Sequence, residues 1–186
     1  MPQNAKREPT IEYALLGFLR ERPMHGYEIH QKMGQPTGLG LVWHLKQSQL
    51  YALLGKLERW GYLSKRTEQR PSHPPRKVFE LTALGQEQFL NWLENPVVHG
   101  RELRLDFLAK LYFVQREDSA ILQRLIDRQR QTCRTWLQSG QPHIFDDEAT
   151  YESLVHQFRV GQIDAMLDWL DTCEQALVGT KPKTKL

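Results

Sequence analysis

The chain has only two cysteines in 186 residues, Cys133 and Cys173. They are too few for a disulfide framework and too far apart for a CxxC metal site, and they read as small buried hydrophobes. No run of about 18 apolar residues is present, so no membrane-spanning helix is expected. The opening residues MPQNAKREPTIEY have no apolar core of the kind a signal peptide needs, and the expected location is the cytoplasm. There is no GxSxG, no phosphate-cradling glycine loop and no nucleophile with a plausible base, so an enzyme is not expected. The histidines are scattered. His25 and His30 stand five apart, which does not align two ligands on one helical face as an i, i+4 pair would, and neither a metal nor any other cofactor is expected. Asp146, Asp147 and Glu148 read as the acidic start of a helix rather than as metal ligands.

What is present is a chain of 40% hydrophobic and 25% charged residues, able to bury a core in one or two domains. The net charge of +3 is divided unevenly. Between residues 41 and 82, Lys46, Lys56, Arg59, Lys65, Arg66, Arg70, Arg76 and Lys77 outnumber Glu58, Glu68 and Glu80, whereas residues 95 to 174 are acidic on balance. Any surface that faces a polyanion therefore belongs to the first half.

Along the chain, TIEYALLGFLRER places Ile11, Ala14, Leu15, Phe18 and Leu19 on one helical face, and Pro23 ends it. MHGYEIHQKMG gives a short second helix closed by Gly34. Gly26 stands at its start, where a missing side chain lets two backbones approach. After a Gly- and Pro-rich break, SQLYALLGKLERWGYLSKR sets Leu50, Leu53, Leu54 and Leu57 at i, i+3, i+4 and i+7, with Ser48 as the expected cap and Gly61 as the stop. YLSKRTEQ and RKVFELT then alternate apolar and polar residues around RPSHPP, whose Pro71, Pro74 and Pro75 exclude a helix, so a β-hairpin with a basic, mobile tip is expected. Thr82 can cap a further helix carrying Leu84, Phe89, Leu90, Trp92 and Leu93.

Two helices, a third helix with one polar face and a two-stranded wing make a winged helix-turn-helix. In that fold the second helix of the motif lies in the major groove of DNA. The leucine stripe would anchor it, while Gln47, Ser48, Gln49 and Tyr51 face the groove. Gln and Ser can donate and accept hydrogen bonds at base edges, and Lys56 and Arg59, further along, would meet phosphate. Lys65, Arg66, Arg70, Arg76 and Lys77 on the wing would add sequence-independent contacts, and Tyr27 is a further candidate for the DNA-binding set.

Three blocks, EYALLGFLRERPMHGYEI, SQLYALLGKLERWGYLSKR and PPRKVFELTALGQEQF, resemble the signature of the PadR family of transcriptional regulators. The resemblance covers about residues 11 to 90, with a looser likeness at LRLDFLAKLYF. It implies a winged-helix domain followed by a helical dimerisation domain, and a dimeric repressor released from DNA by a small aromatic molecule in some members. Ala52 departs from the proline often found after the tyrosine in this family, and Phe79 from a frequent tyrosine.

The second half points to a dimer on its own residues. LRLDFLAKLYFV, with Leu108 and Leu111, is too apolar for a helix with one buried stripe. In the last helix, expected at about Asp147 to Leu177, Tyr151, Leu154, Val155, Phe158, Ala165, Trp169 and Cys173 cluster on one side, and Val160, Ile163, Leu167 and Leu170 on the other. One stripe can pack on the chain's own helix carrying Leu122, Leu125, Ile126, Cys133, Trp136 and Leu137. The other is met by a second subunit or, failing that, by an intramolecular bundle. Leu108, Leu111, Val160, Ile163, Leu167 and Leu170 are the candidate subunit contacts. Trp92, Trp136 and Trp169 are candidates for an effector pocket, since indole rings stack on flat ligands.

The expectation is a mainly α chain with a small β-wing, divided into a winged-helix DNA-binding domain at 1–95, an antiparallel helical dimerisation domain at 96–178 and a disordered tail at 179–186. Its partners would be a pseudo-palindromic DNA duplex, a second copy and a small aromatic effector, with no membrane. The alternative is a winged-helix module that serves protein contacts without DNA.

Overall fold

A computed structural model describes residues 10–70, 73–139 and 150–178. The acidic helix start at Asp146–Glu148 and the tail at 179–186 lie outside the described residues. The described residues divide into two compact units: one takes those through Leu93 together with Arg104–Phe113, and the other takes Glu94–Leu103 and those from Val114 on.

In the first unit, helix α1 (Thr10–Glu21) is enclosed on more than the single face its pattern predicts. Ala14, Leu15, Leu16, Phe18 and Leu19 are all buried, so other elements wrap it. Strand β1 (Met24–His25) precedes helix α2 (Gly26–Met33), which buries Ile29 and Met33. A 3-10 turn (Gly38–Leu41) leads to helix α3 (Gln47–Arg59), whose Leu50, Leu54 and Leu57 are fully buried. Helix α3 stops where Gly61 takes a φ of 75°, a left-handed conformation that favours glycine. Strands β2 (Leu63–Arg70) and β3 (His73–Leu81) form the hairpin.

The sheet has three strands, not two, in the order β1-β3-β2 and antiparallel throughout: Met24 pairs with Phe79 and His25 with Val78. A two-residue strand is too short to show a period of two, which is why the sequence pattern gives only the hairpin. Strand β3 also starts earlier than the prolines suggest, at His73. Pro74 and Pro75 are accepted there because β1 pairs only with residues 78 and 79, so that end of β3 has a neighbour on one side alone. The ladder shifts register between Glu68 and Arg70. Pro71 and Ser72, in the expected mobile tip, lie outside the described residues.

Helix α4 (Ala83–Glu94) is capped as its sequence predicts, the Gly85 N–H donating to the Thr82 hydroxyl oxygen at 3.0 Å. Phe89, Trp92 and Leu93 are buried, whereas Leu84, expected on the same apolar side, is exposed. Helix α5 (Asp106–Val114) belongs to this unit as far as Phe113 and buries Phe107, Ala109, Lys110 and Phe113. Leu108 and Leu111, candidate subunit contacts, are therefore half-buried residues of the winged unit.

The second unit is built on helices α6 (Ser119–Ser139) and α7 (Tyr151–Val178), which pack together. Asp118 caps α6 by accepting the Ala120 N–H at 2.9 Å. Leu122, Leu125, Ile126 and Cys133 form its buried stripe. The buried amide of Gln129 accepts the Val97 N–H at 2.8 Å and donates to the Val97 carbonyl at 3.3 Å, fixing the segment before the 3-10 turn Gly100–Arg104. Burial pushes the Cys173 thiol up to about 11.

Helix α7 corrects the expected division of its two stripes. Leu170, a candidate subunit contact, is fully buried within its own chain, and Val160, Ile163 and Leu167 are half-buried. The residues at spacings of 3, 4 and 3 from Ile163, namely Met166, Leu170 and Cys173, lie in one line that crosses both expected stripes. Tyr151, Leu154 and Phe158 of the opposite stripe are instead exposed, at 78%, 56% and 64%. They adjoin an open groove lined by Leu154, Gln157, Phe158, Gly161, Gln162 and Ala165.

Candidate nucleic-acid interface

The first turn of α3 presents Gln47, Ser48, Gln49 and Tyr51 to solvent over the buried leucines. Ser48 is not the cap. Lys46 precedes the helix, and the Lys46 N–H donates to the Gln49 side-chain oxygen at 3.0 Å. The Gln49 amide is thereby turned back on its own backbone, and Ser48 stands exposed in the first turn. The loop before α3 is held by His30, whose Nε2 lies 3.0 Å from the Leu45 carbonyl.

Gly26 does allow a close approach, but what enters is the ring of Tyr51 rather than a second backbone. A Cβ on Gly26 would lie 2.7 Å from that ring. The Tyr51 ring thus lies against the start of α2, whose next residue, Tyr27, is 59% exposed. Both candidate tyrosines stand near one helix N-terminus, where backbone N–H groups favour an anion such as phosphate. The Glu28 carboxylate accepts the His25 N–H at 2.8 Å, and that bond, helped by Arg22, holds its pKa below the usual carboxylate range.

The wing is tied to this corner through His25, for which the sequence predicts no such role. Its Nδ1 lies 3.1 Å from the Lys77 carbonyl on β3 and its Nε2 lies 3.4 Å from the Glu68 carboxylate on β2. Only the pairing of β1 with β3 brings these groups together, so the signal was out of reach of helical or strand periodicity.

The basic candidates divide into two sets. Lys65 on β2 pairs with Glu58 of α3 at 2.7 Å. Lys56 pairs with Glu12 of α1 at 2.8 Å and lies 4.6 Å from the centre of the Trp60 ring. Arg59, Arg66, Arg76 and Lys77 are exposed and make no ion pair among the described residues. Arg70 closes β2, and its side chain is outside the described residues.

The three candidate effector tryptophans are divided between the units. Trp92 is buried in the first, stacked on Tyr13 at 6.1 Å and tilted on Phe89 at 5.7 Å. The buried Lys110 donates to the Trp92 carbonyl, and its ammonium lies 4.6 Å from the centre of the indole ring. Trp136 and Trp169 are half-buried in the second unit, Trp136 donating from Nε1 to the Val98 carbonyl at 3.2 Å. No helix among the described residues is long and apolar enough to cross a membrane.

Comparison with known proteins gives two family matches. Residues 15–91 match the transcriptional regulator PadR-like family, and residues 103–178 match the virulence activator alpha C-terminal domain. The negative transcriptional regulator PadR of Bacillus subtilis is 28% identical over 149 residues, covering 78% of this chain and 75% of its own length. The crystal structure of that protein in complex with operator DNA is matched at 24% identity, with a TM-score of 0.46 over 90% of this chain and 98% of the other. Its complex with p-coumaric acid is matched at 24% identity, with a TM-score of 0.42 over 91% and 99%.

Proposed function

The chain belongs to the PadR-like family of transcriptional regulators, which bind DNA and are not enzymes, and from that premise we propose that it is a homodimeric repressor of a pseudo-palindromic operator, released by a small aromatic acid. The observation that carries the reading is the first turn of α3: uncharged hydrogen-bonding side chains stand exposed on a helix clamped from below by three fully buried leucines. Such a surface can enter a major groove and read base edges. Gln47 and Ser48 are the reading residues, with Gln49 shared between the groove and its own helix start. Tyr27, Tyr51 and Arg59 meet phosphate, as do Arg66, Arg70, Arg76 and Lys77 on the wing. A winged module serving only protein contacts has no use for so many unpaired cations around an uncharged face.

The exposed Tyr151, Leu154 and Phe158 stripe of α7 is the surface for the second copy, because three large apolar side chains in a row are costly to leave in water. The aromatic-acid class is suggested by the relative's complex with p-coumaric acid and by the Trp92 indole, whose face can stack on a flat ring. Because Trp92 is buried, that ligand would enter by displacing the rings packed on it. Trp136 and Trp169 are further candidates for the same ligand class. Release requires that the ligand bind the DNA-incompetent arrangement more tightly than the competent one.

The test is selection of duplexes from a random library by the full chain, followed by titration of the selected duplex complex with p-coumarate. Enrichment of a two-fold-symmetric sequence and its release by p-coumarate are expected. Enrichment of no sequence would overturn the operator reading, and release by no aromatic acid would overturn the effector.

A further inference from the structure

We propose that Glu12 is a positioning residue for sequence recognition, acting through Lys56, and that Lys56 is not a phosphate contact. The inference rests on α3 being the helix that reads DNA. Lys56 lies on that helix, where a lysine would ordinarily be assigned to the backbone of the duplex. Its ammonium is instead held 2.8 Å from the Glu12 carboxylate of α1 and 4.6 Å from the centre of the Trp60 ring, one helical turn further along α3. The Glu12 side chain is only 8% exposed, so its charge is largely withdrawn from water and needs this partner. Lys56 therefore joins the last turn of the recognition helix to α1 and to the residue that ends the helix. The leucine stripe fixes how deeply α3 sits, but apolar contacts carry no direction of their own and leave small rotations of the helix. A directed ion pair at one point of the helix removes that freedom and sets which exposed side chains meet which base pair.

The sign of the expected effect separates this role from simple electrostatics. Removing a negative charge from a DNA-binding unit should raise its affinity for any duplex, because fewer like charges oppose the phosphates. A positioning role requires the opposite on the operator: Glu12→Gln should weaken it even though the protein becomes more positive.

The experiment uses the full chain, a duplex selected by the wild-type protein and a scrambled duplex of the same length. Affinities are measured at several salt concentrations for wild type, Glu12→Gln, Lys56→Gln, Lys56→Arg and the double Gln variant, with circular dichroism to show that each is folded. Glu12→Gln and Lys56→Gln should each weaken operator binding by about tenfold with little change on scrambled DNA. The double variant should be no worse than either single one, Lys56→Arg should retain most of the preference, and the salt slope should not change. Loss on both duplexes for Lys56→Gln with a salt slope shallower by about 0.9, and unchanged or tighter binding for Glu12→Gln, would make Lys56 a phosphate contact and overturn the proposal. Unchanged operator preference in every variant would also overturn it. Failure of the wild-type protein to select any duplex would instead remove the reading of α3 on which the proposal rests.

Discussion

The ring of Phe113 occupies the space that a side chain at Gly17 would need, since a Cβ at Gly17 would lie 2.5 Å from it. Glycine inside a helix ordinarily costs stability, and Gly→Ala in α1 would be expected to gain up to about 1 kcal/mol. Here the neighbour is a buried ring that also packs edge-on to Phe18 and Phe89, both at 5.5 Å, so it has little room to yield. Overpacking of this kind costs about 1–3 kcal/mol and should decide the sign. Gly17→Ala is expected to lower the midpoint of denaturant unfolding, which chemical denaturation followed by tryptophan fluorescence would measure.

The exposed stripe on α7 makes a separate prediction. Phe158→Asp should shift the chain from a dimer to its monomer mass of 21.9 kDa in light scattering at micromolar concentration, with the helical content retained. Leu170→Asp should unfold the second unit instead, because it places a charge in a fully buried position. A wild-type monomer would rule out the proposed dimer.

Arg76 and Lys77 stand exposed on β3 and make no ion pair among the described residues. Replacing both by alanine should weaken operator and random duplexes alike and make the slope of log affinity against log salt shallower by about 0.9 for each phosphate that is no longer neutralised. Fluorescence anisotropy at four or five salt concentrations measures that slope. Weakening confined to the operator would mean that the wing reads sequence.

Acid should weaken the fold through three carboxylates held below their ordinary range. Glu28 is lowered chiefly by the His25 N–H, Glu94 chiefly by its hydrogen bond from Arg124, and Glu174 by Arg130 and then Gln123. Because each folded pKa lies below the unfolded one, the unfolded chain binds more protons in acid. The stabilisation is complete above the ordinary carboxylate range and is lost as pH falls below that range through the folded values. Thermal midpoints should fall over that window, and Glu94→Gln should reduce the drop. A midpoint independent of pH there would contradict the assignment.

The features legible in the sequence were those set by repeating local patterns. The leucine stripe of α3, the Thr82 cap and the alternating hairpin follow from side-chain period and from hydrogen-bonding groups at helix starts. The features that escaped depend on distant parts of the chain meeting. His25 reaches Glu68 only because β1 adds to β3, and Lys56 meets Glu12 only because α1 brings that buried carboxylate beside it. Helix α7 shows the limit of periodicity most clearly. Both apolar stripes were visible, but which of them the chain covers for itself depended on where α6 lies, and the buried line through Ile163 and Leu170 cuts across both.

DNA reading by the first turn of α3 is tested most directly by measuring wild type and Gln47→Ala against the selected operator and each of its single-base-pair variants. The two copies of α3 should meet major grooves about one turn, roughly 34 Å, apart. Gln47→Ala should therefore lose base preference at one symmetric pair of positions, by about 1–3 kcal/mol, while the preference elsewhere stays as in wild type. An equal loss on every duplex, or no loss on any, would contradict the claim that this turn reads DNA.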